Sequence, residues 1–207
     1  MTRSSRSSGH WRRQQHLDPY VQRASREQWR SRAVFKLEQI QSKERMLRPG
    51  MFCVDLGACP GGWSQFALRT VGRSGRVLAV DLTELAPIDG VEFIRGDFTD
   101  PDTVERVTHA LLGAKADVVM SDMAPNISGN RAVDQPRAMV LAEDALEFCE
   151  AALKPGGTFL VKLFQGEAFD AFVTEVRGRF GKVRLIKPKA SRPESREIYL
   201  LARNYAV

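Results

Sequence analysis

The chain has 207 residues, 43% of them hydrophobic, and carries a formal net charge of +6. That length and apolar share suffice for one domain with a full core. No run approaches the ~18 apolar residues of a membrane span and no signal-type apolar segment follows the basic N-terminus, so the sequence reads as a soluble, unsecreted, cytoplasmic protein. Cys53, Cys59 and Cys149 are odd in number and lack C-x-x-C or His-paired spacing, which indicates neither a disulfide framework nor a zinc site.

The positive charge is unevenly placed. Residues 1–32 hold eight arginines against Asp18 and Glu27, and the rest of the chain is balanced. Residues 1–20 are poor in apolar side chains and are expected to form a flexible basic arm, with residues 21–207 as a single domain. A second basic cluster, from Arg177 to Arg192, has no acidic residue within it. Two such segments on a neutral body point to a polyanionic partner, and nucleic acid fits because Lys and Arg gain affinity by displacing phosphate counterions. A mitochondrial presequence is the competing reading of Met1–Leu17, which is rich in Arg and Ser and free of acids; Trp11, His10 and His16 interrupt its amphipathic pattern.

A helical pattern begins at Ser31, with Ala33, Leu37 and Ile40 on one stripe and Lys36 beside it. After Pro49-Gly50 the elements alternate: strand 52–56, helix 62–71, strands 76–81 and 91–95, helix 101–112, strand 117–121, helix 136–153, strand 157–163, helix 167–179, and strands 182–187 and 196–203. This alternation predicts an α/β fold of Rossmann-like, doubly wound type. The seven-stranded sheet should be mostly parallel, with the last strand antiparallel because no crossover separates it from its predecessor.

Five of these strands reach an ionisable residue near their C-terminal ends: Asp55, Asp81, Asp97, Asp122 and Lys162. In an open parallel sheet those ends form one rim, where ligands bind. Asp also suits turns and helix caps for purely local reasons. Lys162 does not, because it interrupts the apolar run Leu160, Val161, Leu163, Phe164, and an unpaired buried ammonium costs on the order of several kcal/mol. It requires a partner.

The first strand runs into Asp55-Leu56-Gly57-Ala58-Cys59-Pro60-Gly61-Gly62-Trp63, a glycine loop ahead of a helix. Its glycines allow close backbone approach to a ligand, but Cys59 stands where a dinucleotide site needs its middle glycine. Asp81 can accept both hydroxyls of an adenosine ribose, and Asp97 sits where an adenine amino group can be read. A nucleoside without phosphates fits better than NAD.

D-L-G-x-x-P-G-G-W at 55–63, together with D-M-A-P-N at 122–126, V-K-L-F-Q-G at 161–166 and S-R-E-I-Y at 195–199, resembles the FtsJ/RrmJ ribosomal RNA methyltransferases. The resemblance runs from Tyr20 to Ala202. It implies a class I S-adenosylmethionine-dependent enzyme that methylates a uridine ribose 2′-hydroxyl of large-subunit ribosomal RNA, on the assembling particle, as a monomer with no membrane partner. It further implies that Gly61, Trp63, Asp81, Asp97 and Asp122 contact the cofactor, and that Lys36, Asp122, Lys162 and Glu197 form a catalytic tetrad, with Glu194 a nearby competitor for the last place.

Methyl transfer from sulfonium to oxygen is an in-line displacement. Alignment of the reacting atoms supplies much of its rate, and a general base adds ~10²–10⁴-fold. Lys162 suits the hydroxyl, either taking its proton as an amine or steadying the developing alkoxide as an ammonium. Methyltransferases that modify base amines tend to carry an Asn/Asp-Pro-Pro-aromatic loop. Asp122-Met123-Ala124-Pro125 lacks the second proline and the aromatic, which favours ribose over base. Transfer RNA or another RNA as substrate, a noncatalytic RNA-binding module and a NAD-dependent oxidoreductase are the alternatives.

Overall fold

The computed structural model describes residues 18–126 and 128–206. The expected basic arm falls almost wholly outside the described residues. Its last part, Asp18 to Tyr20, opens a helix that the hydropathy pattern does not announce, α1 (Pro19–Arg26). Asp18 accepts a hydrogen bond from the Tyr20 amide at 2.9 Å, and Pro19 occupies the first turn, where its missing N–H costs nothing. Helix α2 (Val34–Glu44) follows and buries Val34, Phe35, Leu37 and Ile40; it stops at Arg45, whose φ of 48° is left-handed.

Strands and helices then alternate: β1 (Phe52–Leu56), α3 (Gly62–Val71), β2 (Arg76–Asp81), β3 (Val91–Arg95), α4 (Pro101–Ala110), β4 (Ala116–Ser121), α5 (Arg131–Ala152), β5 (Leu153–Phe164), α6 (Phe169–Arg179), β6 (Phe180–Ile186) and β7 (Glu197–Tyr205). The strands form one seven-stranded sheet in the order β3-β2-β1-β4-β5-β7-β6. β1 to β5 pair in parallel, while β7 runs antiparallel to both β5 and β6. The α/β fold expected from the alternation is therefore present, including its antiparallel last strand.

One face of the sheet packs Cys53, Val77, Val118, Leu160 and Leu201 against Leu37 and Ile40 of α2 and Ala67 and Val71 of α3. The opposite face packs Leu56, Val80, Val119, Phe159 and Val161 against α4, α5 and α6 through Val107, Leu146, Phe172 and Val176. Strands buried on both faces read as continuous apolar runs, which is why they are visible in the sequence.

α5 starts at Arg131, five residues before the expected Pro136. Asn130 caps it by accepting from the Ala132 amide at 3.1 Å, and Asp134 accepts from the Ser128 and Gly129 amides at 2.9 and 3.0 Å. These side-chain bonds hold the added turn and leave Pro136 inside the helix. Among the described residues no helix is long and apolar enough to cross a membrane.

Candidate active site

The topology decides which side chains share the rim. β1, β2, β4 and β5 point their C-terminal ends the same way, so Gly57, Asp81, Asp122 and Lys162 come to one edge. β7 runs the other way and delivers its N-terminal residues there: Phe164 is the register partner of Glu197, and Lys162 that of Tyr199. Lys36 joins them from α2, which covers this face.

At the ends of β1, β2 and β4 lies a cavity of 290 Å³ lined by, among others, Gly57, Cys59, Asp81, Asp97, Asp122 and Met123. A Cβ on Gly57, at φ 76°, would come within 2.5 Å of Met123 Cγ, so only glycine keeps this wall in place. Asp81 Oδ2 accepts from the Cys59 amide at 2.8 Å and Oδ1 from the Thr83 amide at 2.7 Å, which ties the glycine loop to the end of β2. Asp97 Oδ1 accepts from the Thr99 amide and hydroxyl, and these bonds hold its carboxyl below the usual range. The polar lining is three carboxylates, with Thr83, Thr99 and Asn126, and no cation lines the cavity among the described residues. It suits an uncharged nucleoside with a sulfonium better than a pyrophosphate.

Gly61 and Trp63 stand outside this lining. Gly61 caps α3 at φ 107°, and a Cβ there would press on Ile88 and Leu85. The Trp63 indole is buried, donates to the Ala33 carbonyl at 2.9 Å, and lies 5.7 Å from the Tyr199 ring. Both residues shape the loop from behind. The Trp63 ring packs beneath α2, so the cofactor contact that the resemblance implies for these two residues falls to the loop backbone.

Beside that cavity is a second, of 400 Å³, lined by Arg32, Lys36, Lys162, Phe164, Glu194 and Glu197 among others. Ala124 lines both, and Asp122 on one side pairs with Lys162 on the other, so the Asp122–Ala124 segment is the wall between them. Lys162 Nζ donates to the Asp122 carbonyl at 2.6 Å and lies 3.1 Å from its Oδ1. Lys36 Nζ pairs with Glu197 at 2.8 and 3.0 Å from its two carboxylate oxygens. Of the two candidate glutamates, Glu197 is buried and paired, whereas Glu194 is exposed on the rim.

Burial pushes the Asp122 carboxyl up, but Lys162, Lys36 and the hydrogen bonds from Tyr199 and Lys162 outweigh it and hold Asp122 below the ordinary range. Tyr199 is an addition to the expected set. Its hydroxyl donates to Asp122 Oδ1 at 2.7 Å, and burial together with the Asp122 and Glu197 charges raises its pKa well above that of a free tyrosine, so it remains a donor. Its Y in S-R-E-I-Y is legible, but its contact depends on the antiparallel register.

Asp55, grouped from sequence with the rim carboxylates, lies inside β1 and is fully buried. It accepts from Ser64 Oγ at 2.6 Å, and its other oxygen has no partner among the described residues. Desolvation raises its pKa to about 7.

A nucleoside-type cavity at the carboxyl ends of a parallel sheet, with an antiparallel β7, defines the class I methyltransferase fold. The profile of the FtsJ-like methyltransferases matches residues 29–205, and the chain belongs to that family. Members use S-adenosylmethionine as methyl donor. A Plasmodium falciparum protein assigned as a ribosomal RNA methyltransferase is similar at 29% identity and a TM-score of 0.77, over 86% of this chain and 98% of that one. A Clostridium thermocellum protein assigned as an rRNA methylase shares the fold, with 19% identity and a TM-score of 0.56 over 81% of this chain and 96% of its own.

Proposed function

We propose that this chain methylates a uridine ribose 2′-hydroxyl in large-subunit ribosomal RNA, acting in the cytoplasm on the assembling particle. The observation that carries the reading is the shared wall at Asp122–Ala124, which separates a nucleoside-sized cavity from one holding two lysine–carboxylate pairs. The likeness to the Plasmodium ribosomal RNA methyltransferase supports ribosomal RNA as the substrate class.

S-adenosylmethionine bound in the first cavity supplies an electrophilic methyl. Asp81 and Asp97 would hold its ribose and adenine, beside the glycine-loop residues Gly57 and Cys59 that line the same cavity. In the second cavity Lys162, fixed by Asp122, orients the incoming 2′-oxygen and stabilises negative charge as it develops there; as that oxygen gains the methyl, the carbon–sulfur bond breaks to leave a neutral thioether and the hydroxyl proton passes to water. Glu197 holds Lys36 beside the Tyr199 ring, 5.7 Å from its centroid, so a second ammonium reinforces the field at the same oxygen.

The test is methylation mapping of ribosomal RNA from cells with and without this protein. Loss of one uridine 2′-O-methyl from large-subunit RNA is expected; an unchanged large-subunit map, with a methyl missing from transfer RNA instead, overturns the substrate assignment.

A further inference from the structure

Three depressions meet at the tetrad. The tetrad cavity shares Arg32, Arg192 and Glu194 with a basic hollow, and shares Phe164, Glu194 and Ser195 with a third cavity of 260 Å³. The third differs in chemistry: its remaining walls are Pro125, Gln135, Gln165, Arg196 and Asp134, whose carboxylate is taken up by the Ser128 and Gly129 amides. Lys162 Nζ stands 5.9 Å from the centroid of the Phe164 ring, and the same ring borders the third cavity. Phe164 is therefore the partition between the reacting lysine and this space.

Two polar side chains there are exposed and open to a ligand. The Gln165 carboxamide makes no hydrogen bond among the described residues, and the Arg196 guanidinium has no acidic partner among them; only the Gln165 amide and Arg196 carbonyl join the two, at 3.2 Å. Gln135 is anchored to the Glu167 carbonyl. An aromatic ring and a proline to stack on, an open carboxamide offering donor and acceptor side by side, and a planar guanidinium are the groups with which proteins read an unstacked base. The volume, just under the ~300 Å³ at the lower end of ligand pockets, suits one ring.

We infer that this cavity holds the base of the nucleotide being methylated, with Phe164 and Pro125 against its faces and Gln165 on its hydrogen-bonding edge, so that Gln165 sets base preference. The inference rests on the ribose-directed reading above: a ribose with its 2′-oxygen at Lys162 carries its base on the adjacent sugar carbon, and Phe164 is the residue common to both spaces. Uracil presents an N3–H donor beside carbonyl acceptors, which a carboxamide and a guanidinium complement. A carboxylate in place of Gln165 accepts only, and would favour the exocyclic amine of cytosine.

The experiment uses large-subunit particles from cells lacking the protein, carrying either the native target uridine or cytidine at that position. Gln165→Ala should raise KM for the uridine particle by about tenfold with little change in kcat, as losing a base contact does. Gln165→Glu should raise the rate on the cytidine particle relative to uridine, which a loss of structural support cannot do. Calorimetry with S-adenosylhomocysteine, expected to match the wild type, reports that the cofactor half is intact. Unchanged KM and an unchanged uridine-to-cytidine ratio in both variants overturn the base pocket while a wild-type methyl on the ribose leaves the proposed function standing. A wild-type methyl found on a base overturns the proposed function itself.

Discussion

Asp55 and Asp122 stand near the C-terminal ends of neighbouring strands of the same sheet, the first fully buried and the second with its side chain 16% exposed at the cavity wall, and their acidities move in opposite directions. Asp55 sits inside β1 with one hydroxyl donor and an oxygen that has no partner among the described residues, and burial raises it to about 7. Asp122, one step beyond β4, meets two lysines and a tyrosine, which overcome its own desolvation and hold it low. Burial alone does not decide the charge of a strand-end carboxylate. The cations brought by neighbouring elements do, and here they come from α2 and β5.

The strongest way to break the contrast is to remove the cation. Lys162→Ala should lower methyl transfer by ~10²–10³-fold, the range for losing a group that stabilises charge at the reacting oxygen, while leaving S-adenosylhomocysteine affinity close to wild type. Asp81→Ala should do the reverse, weakening the cofactor by calorimetry more than it slows turnover at saturation, because Asp81 ties the glycine loop and faces the other cavity. Near-normal turnover by Lys162→Ala would remove that lysine from the chemistry.

Asp55 sharpens the contrast from the other side. Its folded pKa, about 7, exceeds the ordinary 3.8, so as pH rises the unfolded chain releases this proton first. Stability contributed by the group therefore falls between pH 3.8 and about 7, by ~1.4 kcal/mol per unit and roughly 4 kcal/mol in all, with the full loss present above 7. Asp55→Asn keeps an acceptor for Ser64 and cannot ionise. Denaturant titrations across this window should show a flatter pH dependence in the variant, with its largest relative gain above pH 7; parallel curves for the two proteins would mean Asp55 does not titrate there.

How far the sequence carries depends on whether a feature is local. Strands buried on both faces announce themselves as apolar runs, and Lys162 is conspicuous because it interrupts one. The choice of Glu197 over Glu194 as partner of Lys36 is a matter of register in β7, and S-R-E-I-Y locates it only through resemblance. Asp55 reads as a rim residue because its position one short of the strand end has no sequence signature. The Trp63 indole has no local signature for its partner, because the backbone that receives it, at Ala33, lies 30 residues away. Helix α1 escapes the pattern although Asp18-Pro19 is a start signal, since its eight residues bury only Ala24 and its apolar stripe, Tyr20 and Ala24, spans a single turn.

Tyr199 is the smallest and most selective probe of the comparison, because it touches Asp122 without being a cation. Its ring is fully buried against Trp63, so Tyr199→Phe keeps the packing and deletes one hydroxyl donor, a bond to a charged group worth ~1.5–3 kcal/mol. Lys162 and Lys36 remain, and Asp122 should stay ionised near neutrality, but its carboxyl should move up toward the ordinary range. The sign follows: a wild-type Asp122 held low stays charged far into acid, whereas the variant protonates earlier, so the acid limb of the kcat profile should shift to higher pH. At neutral pH the loss should be about tenfold or less, since Lys162 keeps its bond to the Asp122 carbonyl. A pH–rate profile from about pH 4 to 8 on both proteins measures this. An acid limb that does not move would show that the lysines alone set the charge of Asp122 and that the tyrosine serves only the core.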